Sequence, residues 1–444
     1  MGKRIVQALW GNLKGEELKK FALLSTGFFF LIGSFWPLKT IKDSIFLATT
    51  GSIYQPYAKM ASIVMFFPLV LIYSKLIDHF SKEKMIYLLI SFYSILGLVF
   101  VYLMKHPSIG LANTIQTPYR FIGWGFYLFV ETYISLIVSL YWAFINDITK
   151  PESAKRGYGM LIFGTQLGGA IFTIVGRYLS RDPAKFTTVV PMIALISICF
   201  FLAIALIVFI LTHTVSKKEL SGYQEEEQKI IAQKTDVGFW EGLKLLIKCR
   251  YVGGIFGLVL FQEITTTIMN YQMYISVEKT FMKNAGLINK YLFTYALMCQ
   301  VLACLFGLFG TSFFQRKFGI RACLIAFPIL LGAAILGFAF FPTLYVVTGV
   351  MIIAKGLNYS LNQPAKEALY IPTSKAVKYK SKAWIDMFGL RASKGVGSVI
   401  NKIFGVFSGA TAVISIGLIF LWTALASATG KRYKKVVHDK KIIR

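Results

Sequence analysis

VVPMIALISICFFLAIALIVFIL, the run from Val189 to Leu211, contains no charged residue. As a helix rising about 1.5 Å per residue it is longer than the roughly 30 Å of hydrocarbon in a bilayer. A helix on a water-soluble core would carry a polar stripe, and this run has none. A barrel strand would be shorter and would alternate. The run therefore reads as a transmembrane helix. Eleven more candidates surround it: Phe21–Leu47, Ala58–Ile77, Met85–Met104, Phe121–Ile145, Tyr158–Leu179, Tyr251–Val277, Tyr291–Phe314, Ala322–Phe341, Leu344–Asn362, Ala383–Phe407 and Ala410–Leu425. The expected fold is an all-α polytopic membrane protein with twelve transmembrane helices.

The remaining composition agrees. The chain has 444 residues, of which 56% are hydrophobic, and a mean hydropathy of +0.62. Only 15% are charged, yet Lys and Arg number 48 against 20 acidic residues, a formal net charge of +28. Lys and Arg gather in the N-terminus, in the loops after segments two, four, eight and ten, in the central linker and in the C-terminus. The positive-inside rule then puts both termini in the cytoplasm. A basic chain can also bind nucleic acid, but the apolar runs leave no soluble domain to present a groove, so no nucleic-acid partner is expected. Met1 to Lys20 is polar and basic and leads into a long apolar run with no small-residue cleavage site. It is also too short and too acidic for a transit peptide, so the expected location is a bacterial inner membrane. The five cysteines form no CxxC pair and the four histidines no ligand cluster, which predicts neither a disulfide framework nor a metal site.

A polar stretch divides the spans six and six. The expected organisation is an N-terminal half (1–213), a cytoplasmic linker (214–250) holding the acidic run Glu225, Glu226, Glu227, and a C-terminal half (251–444). A basic turn follows the second helix of each half, beginning at Tyr73 in one and Thr311 in the other, as a faint internal repeat. Six plus six with a repeat is a major-facilitator-like plan, in which halves alternate around a midplane site.

Charges inside spans need a reason, because each costs roughly 2.5–3.5 kcal/mol at mid-bilayer. Six are basic (Lys39, Lys42, Lys355, Arg391, Lys394, Lys402) and four acidic (Asp43, Glu131, Glu263, Asp386). Lys39, Lys42 and Asp43 share a helical face by i, i+3, i+4 spacing, and Arg391, Lys394, Ser398, Asn401 and Lys402 follow the same period. Asn146 lies on the face of Glu131, and Asn270 on the face of Glu263. Cations outnumbering carboxylates predict a pocket that attracts a multiply charged anion, with Arg gripping phosphate bidentately and Lys acting as a point charge. Plainer readings stand beside this one. Lys402 and Asp386 also fit as snorkelling residues, Lys42 with Glu131 as a structural ion pair, Lys355 as a packing residue. Tyr141, Trp142, Tyr271 and Tyr359 can stack on a base but equally fill a core. Gly157, Gly159, Gly164, Gly168 and Gly169 read as a close helix contact. The chain has no GxxxxGK[ST] loop. No cofactor and no ATP hydrolysis are expected, so a secondary carrier, a channel or a passive exchanger is implied rather than an enzyme.

Four stretches carry a resemblance. They are Lys39-Thr-Ile-Lys-Asp-Ser, Glu131 leading to Tyr141-Trp-Ala-Phe-Ile-Asn-Asp-Ile-Thr with Ala154-Lys-Arg-Gly-Tyr beyond it, Gln262-Glu-Ile-Thr, and Asn362-Gln-Pro-Ala-Lys-Glu-Ala-Leu-Tyr running on to Ser393-Lys-Gly-Val-Gly-Ser. Over nearly the whole chain they resemble the ATP/ADP translocases, or nucleotide transporters, of obligate intracellular bacteria and plastids. The resemblance implies a nucleotide substrate exchanged across the bilayer, ATP for ADP first of all. It implies that the charges that matter most are Lys42, Glu131, Glu263 and Lys394. It departs at Thr267 and Asn270, where many members carry a Lys, and at Gly168-Gly169, where many carry an Asn. The expected substrate-binding set is Lys39, Lys42, Glu131, Asn146, Glu263, Asn270, Lys355, Arg391 and Lys394, in a monomer. Open alternatives are a proton-coupled nucleotide importer, an organic-phosphate carrier and a membrane receptor without transport.

Overall fold

The computed structural model describes residues 13, 15–220, 244, 246, 248–306, 311–374, 377, 381–382, 384–405 and 409–439. The acidic run Glu225–Glu227, Lys375, Lys380 and the side chain of Tyr359 lie outside the described residues. The described chain is a succession of helices: α1 (Gly15–Thr49), α2 (Gln55–His79), α3 (Lys82–Lys105), α4 (Phe121–Asp147), α5 (Pro151–Leu179), α6 (Phe186–Thr214), α7 (Arg250–Thr280), α8 (Ala285–Leu305), α9 (Thr311–Phe340), α10 (Leu344–Leu357), α11 (Leu390–Phe404) and α12 (Gly409–His438). Among the described residues ten helices are long and apolar enough to cross a membrane. Val64, Leu71, Ile95, Tyr102, Val413 and Phe420 are all largely exposed, as hydrocarbon-facing side chains must be.

Two of these helices fall short of that standard: α10 is apolar but only 14 residues long, and α11 is 15 residues long and polar. Pro364 lacks the N–H that an α-helix would direct at residue 360, and its ring crowds that carbonyl. The backbone responds with a π turn over Asn358–Asn362, closed by the Gln363 N–H on the Asn358 carbonyl, before a last short helix, Gln363–Ala368. A second π turn, Ile385–Gly389, leads into α11 and is closed by the Leu390 N–H on Ile385. α11 ends at Gly405, whose φ of 62° suits a residue without Cβ. Such turns gather at functional sites.

Two compact units make up the chain. The first takes the described residues of Met1–Gly51, Val64–Thr235 and Asn284–Leu297; the second takes those of Ser52–Ile63, Asp236–Lys283 and Met298–Arg444. In the first, α1 packs against α4, α5 and α6, and α3 against α4 and α6. A Cβ added at Gly168 would lie 2.1 Å from the Phe29 carbonyl oxygen, so only glycine lets α5 come this close to α1. Tyr133 fixes α4 in register, its hydroxyl 2.7 Å from Ser34 Oγ and its ring 4.2 Å from that of Phe201. In the second unit α7 packs against α10, α11 and α12, and α9 against α10 and α12. Trp422 is fully buried edge-on to Phe327. Gly397 lets α11 meet α7, since a Cβ there would come within 2.9 Å of Thr267, and Asn401 Nδ2 donates to the Thr267 carbonyl at 3.2 Å.

Candidate functional site

In the first unit the register of α1 against α4 brings Lys42 to Glu131. The Lys42 side chain is 3% exposed, and its ammonium donates to Glu131 Oε1 at 2.5 Å and lies 3.2 Å from Asp43 Oδ1. It also sits 4.1 Å from the centre of the Tyr127 ring, whose negative face adds to the attraction. Lys42 thus faces two carboxylates. The expectation of cations short of carboxylates fails at this position, because the neighbouring Asp43 turns onto the same ammonium. Glu131 is the more open of the two acids, so it is the partner a ligand reaches first.

Lys39, one turn earlier, is half-buried with its ammonium 5.4 Å and 5.1 Å from the ring centres of Phe35 and Trp36. Ser135 and Ser139 turn back to the helix, donating to the carbonyls of Glu131 and Ser135. Asn146 lies fifteen residues beyond Glu131, roughly 22 Å along the axis. There it is exposed and accepts a 2.5 Å bond from the Tyr158 hydroxyl. Tyr141, a candidate base platform, is buried instead, and its hydroxyl donates to the Leu24 carbonyl.

In the second unit the close α7–α11 contact brings Glu263 to Lys394. Lys394 Nζ lies 4.0 Å from Glu263 Oε2, a loose pairing, and the lysine side chain is 49% exposed. Arg391 is half-buried one turn before Lys394 on α11, Asn270 half-buried two turns beyond Glu263 on α7, and Lys355 half-buried on α10 one turn before Asn358. Lys402 lies with its ammonium 5.1 Å from the centre of the Tyr57 ring, and Asp386 is exposed in the second π turn.

Sequence reasoning missed a polar network behind Glu263. Gln262 and Asn362 are both buried. Gln262 Oε1 accepts from Asn362 Nδ2 at 2.6 Å and from Lys366 Nζ at 2.7 Å, while its Nε2 donates to Asn358 Oδ1 at 2.9 Å and reaches Glu263 Oε1 at 3.4 Å. The i, i+4, i+8 spacing of Asn358, Asn362 and Lys366 was the available signal. Among the described residues no group of three or more His, Cys, Asp or Glu is placed to hold a metal.

The geometry suits a carrier of charged ligands: two Lys–Glu pairs inside membrane helices, one tight and one loose. Comparison with known proteins points the same way. A family model described as "TLC ATP/ADP transporter" matches residues 2–351 and 342–433. The "ADP,ATP carrier protein 1" of Rickettsia prowazekii (strain Madrid E) is 24% identical, across 95% of this chain and 95% of its own. Among solved structures the chain is similar to the inward-open xylose transporter XylE from E. coli (TM-score 0.60, 12% identity, 95% of this chain and 96% of that one). It is also similar to the nucleoside transporter NupG (TM-score 0.54, 14% identity, 96% and 99%). Both likenesses are of fold, and that fold is the major-facilitator-like helical bundle.

Proposed function

The chain belongs to the TLC ATP/ADP transporter family, and from that premise we propose that it is a secondary transporter exchanging nucleotides, ATP for ADP, by alternating access. It does no covalent chemistry. It works in a bacterial inner membrane with both termini in the cytoplasm, the side on which the Lys and Arg excess of its loops falls. Lys42, Arg391 and Lys394, with Lys39 and Lys355, attract the phosphates; Glu131 and Glu263 hold the lysines when no nucleotide is present. Asn270 is a further polar contact, and Asn146 marks the end of α4 rather than the phosphate position.

The observation that carries this reading is the contrast between the two pairs. Lys42 is buried and doubly paired, whereas Lys394 is half-exposed and 4.0 Å from its carboxylate. A cation so loosely compensated is costly to shut away from water. Phosphate oxygens remove that penalty, so the loaded carrier reorients more readily than the empty one. This is a physical route to exchange rather than one-way flow.

The test is uptake of labelled ATP into liposomes containing the purified protein and loaded with ADP, with GDP or with nothing. Uptake in ADP-loaded vesicles and none in empty ones is expected. Equal uptake in empty vesicles would replace exchange by proton-coupled import. Absence of uptake in all three would end the nucleotide reading.

A further inference from the structure

Buried cations in this protein have recognisable occupations. Lys20, at the start of α1, donates to the carbonyls of Ile148 and Glu219. Arg120 binds four carbonyls, those of Ile109, Gly110, Asn113 and Ile115, and so folds its loop around itself. Lys42 has its two carboxylates. Lys366 differs from all three. It is 6% exposed, and its ammonium is held by one side-chain amide oxygen, Oε1 of Gln262, at 2.7 Å. Its neighbour Glu367 is taken by Lys382 at 2.7 Å. Among the described residues no carboxylate is in contact with it, and a buried ammonium so placed is expensive and calls for a reason.

The reason lies in the polarity of the amide. Gln262 uses both lone pairs of Oε1 (Lys366 and Asn362) and both N–H groups of Nε2 (Asn358 and Glu263). Flipping the amide would set its NH₂ against an ammonium and its oxygen against a carboxylate. The Lys366 charge therefore fixes which end of Gln262 faces Glu263. Glu263 sits between two cations: Lys394 directly, at 4.0 Å, and Lys366 through one intervening amide. When phosphate draws Lys394 away, a lone Glu263 would be left uncompensated among apolar helices. With the relay in place it keeps a donor and a nearby positive charge.

We propose that Lys366 is a positioning residue for nucleotide exchange, orienting Gln262 on Glu263 so that Lys394 is released to the ligand without stranding the carboxylate. The proposal rests on the nucleotide reading given above. Asn358 and Asn362, at the two ends of the π turn, and Lys366, in the short helix after it, all reach the same buried amide.

The experiment is a nucleotide-binding titration on the purified full-length protein, with a fluorescent ATP analogue displaced by ATP and by ADP, alongside exchange in ADP-loaded liposomes. Lys366→Gln is expected to weaken ATP affinity about tenfold or more, the scale of one lost charge-assisted hydrogen bond. Lys366→Arg, which keeps charge and donors, should stay within about threefold of wild type. The double variant Glu263→Gln/Lys366→Gln should bind no worse than Glu263→Gln alone, since the relay then has nothing to serve. Gln262→Glu supplies a second line if Lys366→Gln does not fold. It gives the buried ammonium a carboxylate of its own but removes the donor to Glu263, so affinity should drop while the folded yield holds. Lys366→Gln with unchanged affinity, or equal losses with and without Glu263→Gln, would overturn the proposal and leave nucleotide exchange standing. Wild-type protein that neither binds nor exchanges nucleotide would overturn both.

Discussion

Replacing Lys42 by Met is the most informative single change in the first unit. Met matches the length of the lysine stem but removes the charge that two carboxylates share. Glu131 and Asp43 would then lose the ammonium they share, at a position where the Lys42 side chain is 3% exposed. Removing one partner of a buried ion pair costs about 3–5 kcal/mol, because the remaining charge is uncompensated. The Tyr127 ring loses its cation as well, a further ~1–2 kcal/mol. Glu131→Gln is the control: the Lys42–Asp43 contact at 3.2 Å survives it and the new amide oxygen still accepts, so its cost should be about 1–2 kcal/mol. For a unit of this size each kcal/mol moves the melting temperature roughly 2–4 °C. Thermal unfolding of the purified protein in detergent, followed by tryptophan fluorescence, should show Lys42→Met melting about 8–28 °C below wild type. Glu131→Gln should lose well under half of that, and the double variant less than the sum, because the two residues share one interaction. A Lys42→Met protein melting within 2 °C of wild type, or no lower than Glu131→Gln, would refute the claim that this triad ties α1 to α4.

Other outcomes follow from the same geometry. Lys394→Ala should leave the melting temperature nearly unchanged, since the side chain is half-exposed and loosely paired, yet raise the KM for ATP in the exchange assay at least tenfold. Gly168→Val should abolish folded protein, judged by gel filtration after extraction, because its Cβ would overlap the Phe29 carbonyl; a monodisperse peak would show that α1 and α5 can separate. If ATP leaves as ADP enters, about one net charge crosses per cycle, worth roughly 2.3 kcal/mol per 100 mV. A 100 mV potassium diffusion potential should therefore shift the steady-state ATP distribution by about 50-fold, and indifference to potential would mean a compensating ion moves too.

Much of the fold was legible because the bilayer imposes one simple demand, a long apolar run. Val189–Leu211 lies inside α6, and the predicted start at Phe121 is the observed start of α4. The tenth and eleventh spans were misjudged in detail because hydropathy averages do not register what a proline does upstream. Pro364 ends α10 at Leu357, and the expected run to Asn362 is a π turn. Charged site residues were legible one by one, since each charge in a span needs a cause, and so was the pairing of Lys42 with Glu131, but the aromatic setting of Lys39 was not. Helical spacing put Lys39 and Lys42 on one face, yet one lies against aromatic rings and the other between carboxylates. Asn146 was drawn in by periodicity alone, which takes no account of the length of helix separating it from Glu131. The Gln262 relay escaped because it joins residues about a hundred positions apart, which spacing along one helix does not connect.

The π turn at Asn358–Asn362 makes chain length itself a determinant. It holds one residue more than a regular helical ladder requires, and everything after it is rotated accordingly. Mending the ladder over the same residues would swing Lys366 roughly 100° around the axis, away from Gln262. Deleting one residue as the ladder is mended would cancel that rotation and keep Lys366 where it is. Between relatives of this protein a one-residue gap is therefore tolerated at this turn, whereas the same gap in the regular helix before it would carry Lys366 away from Gln262.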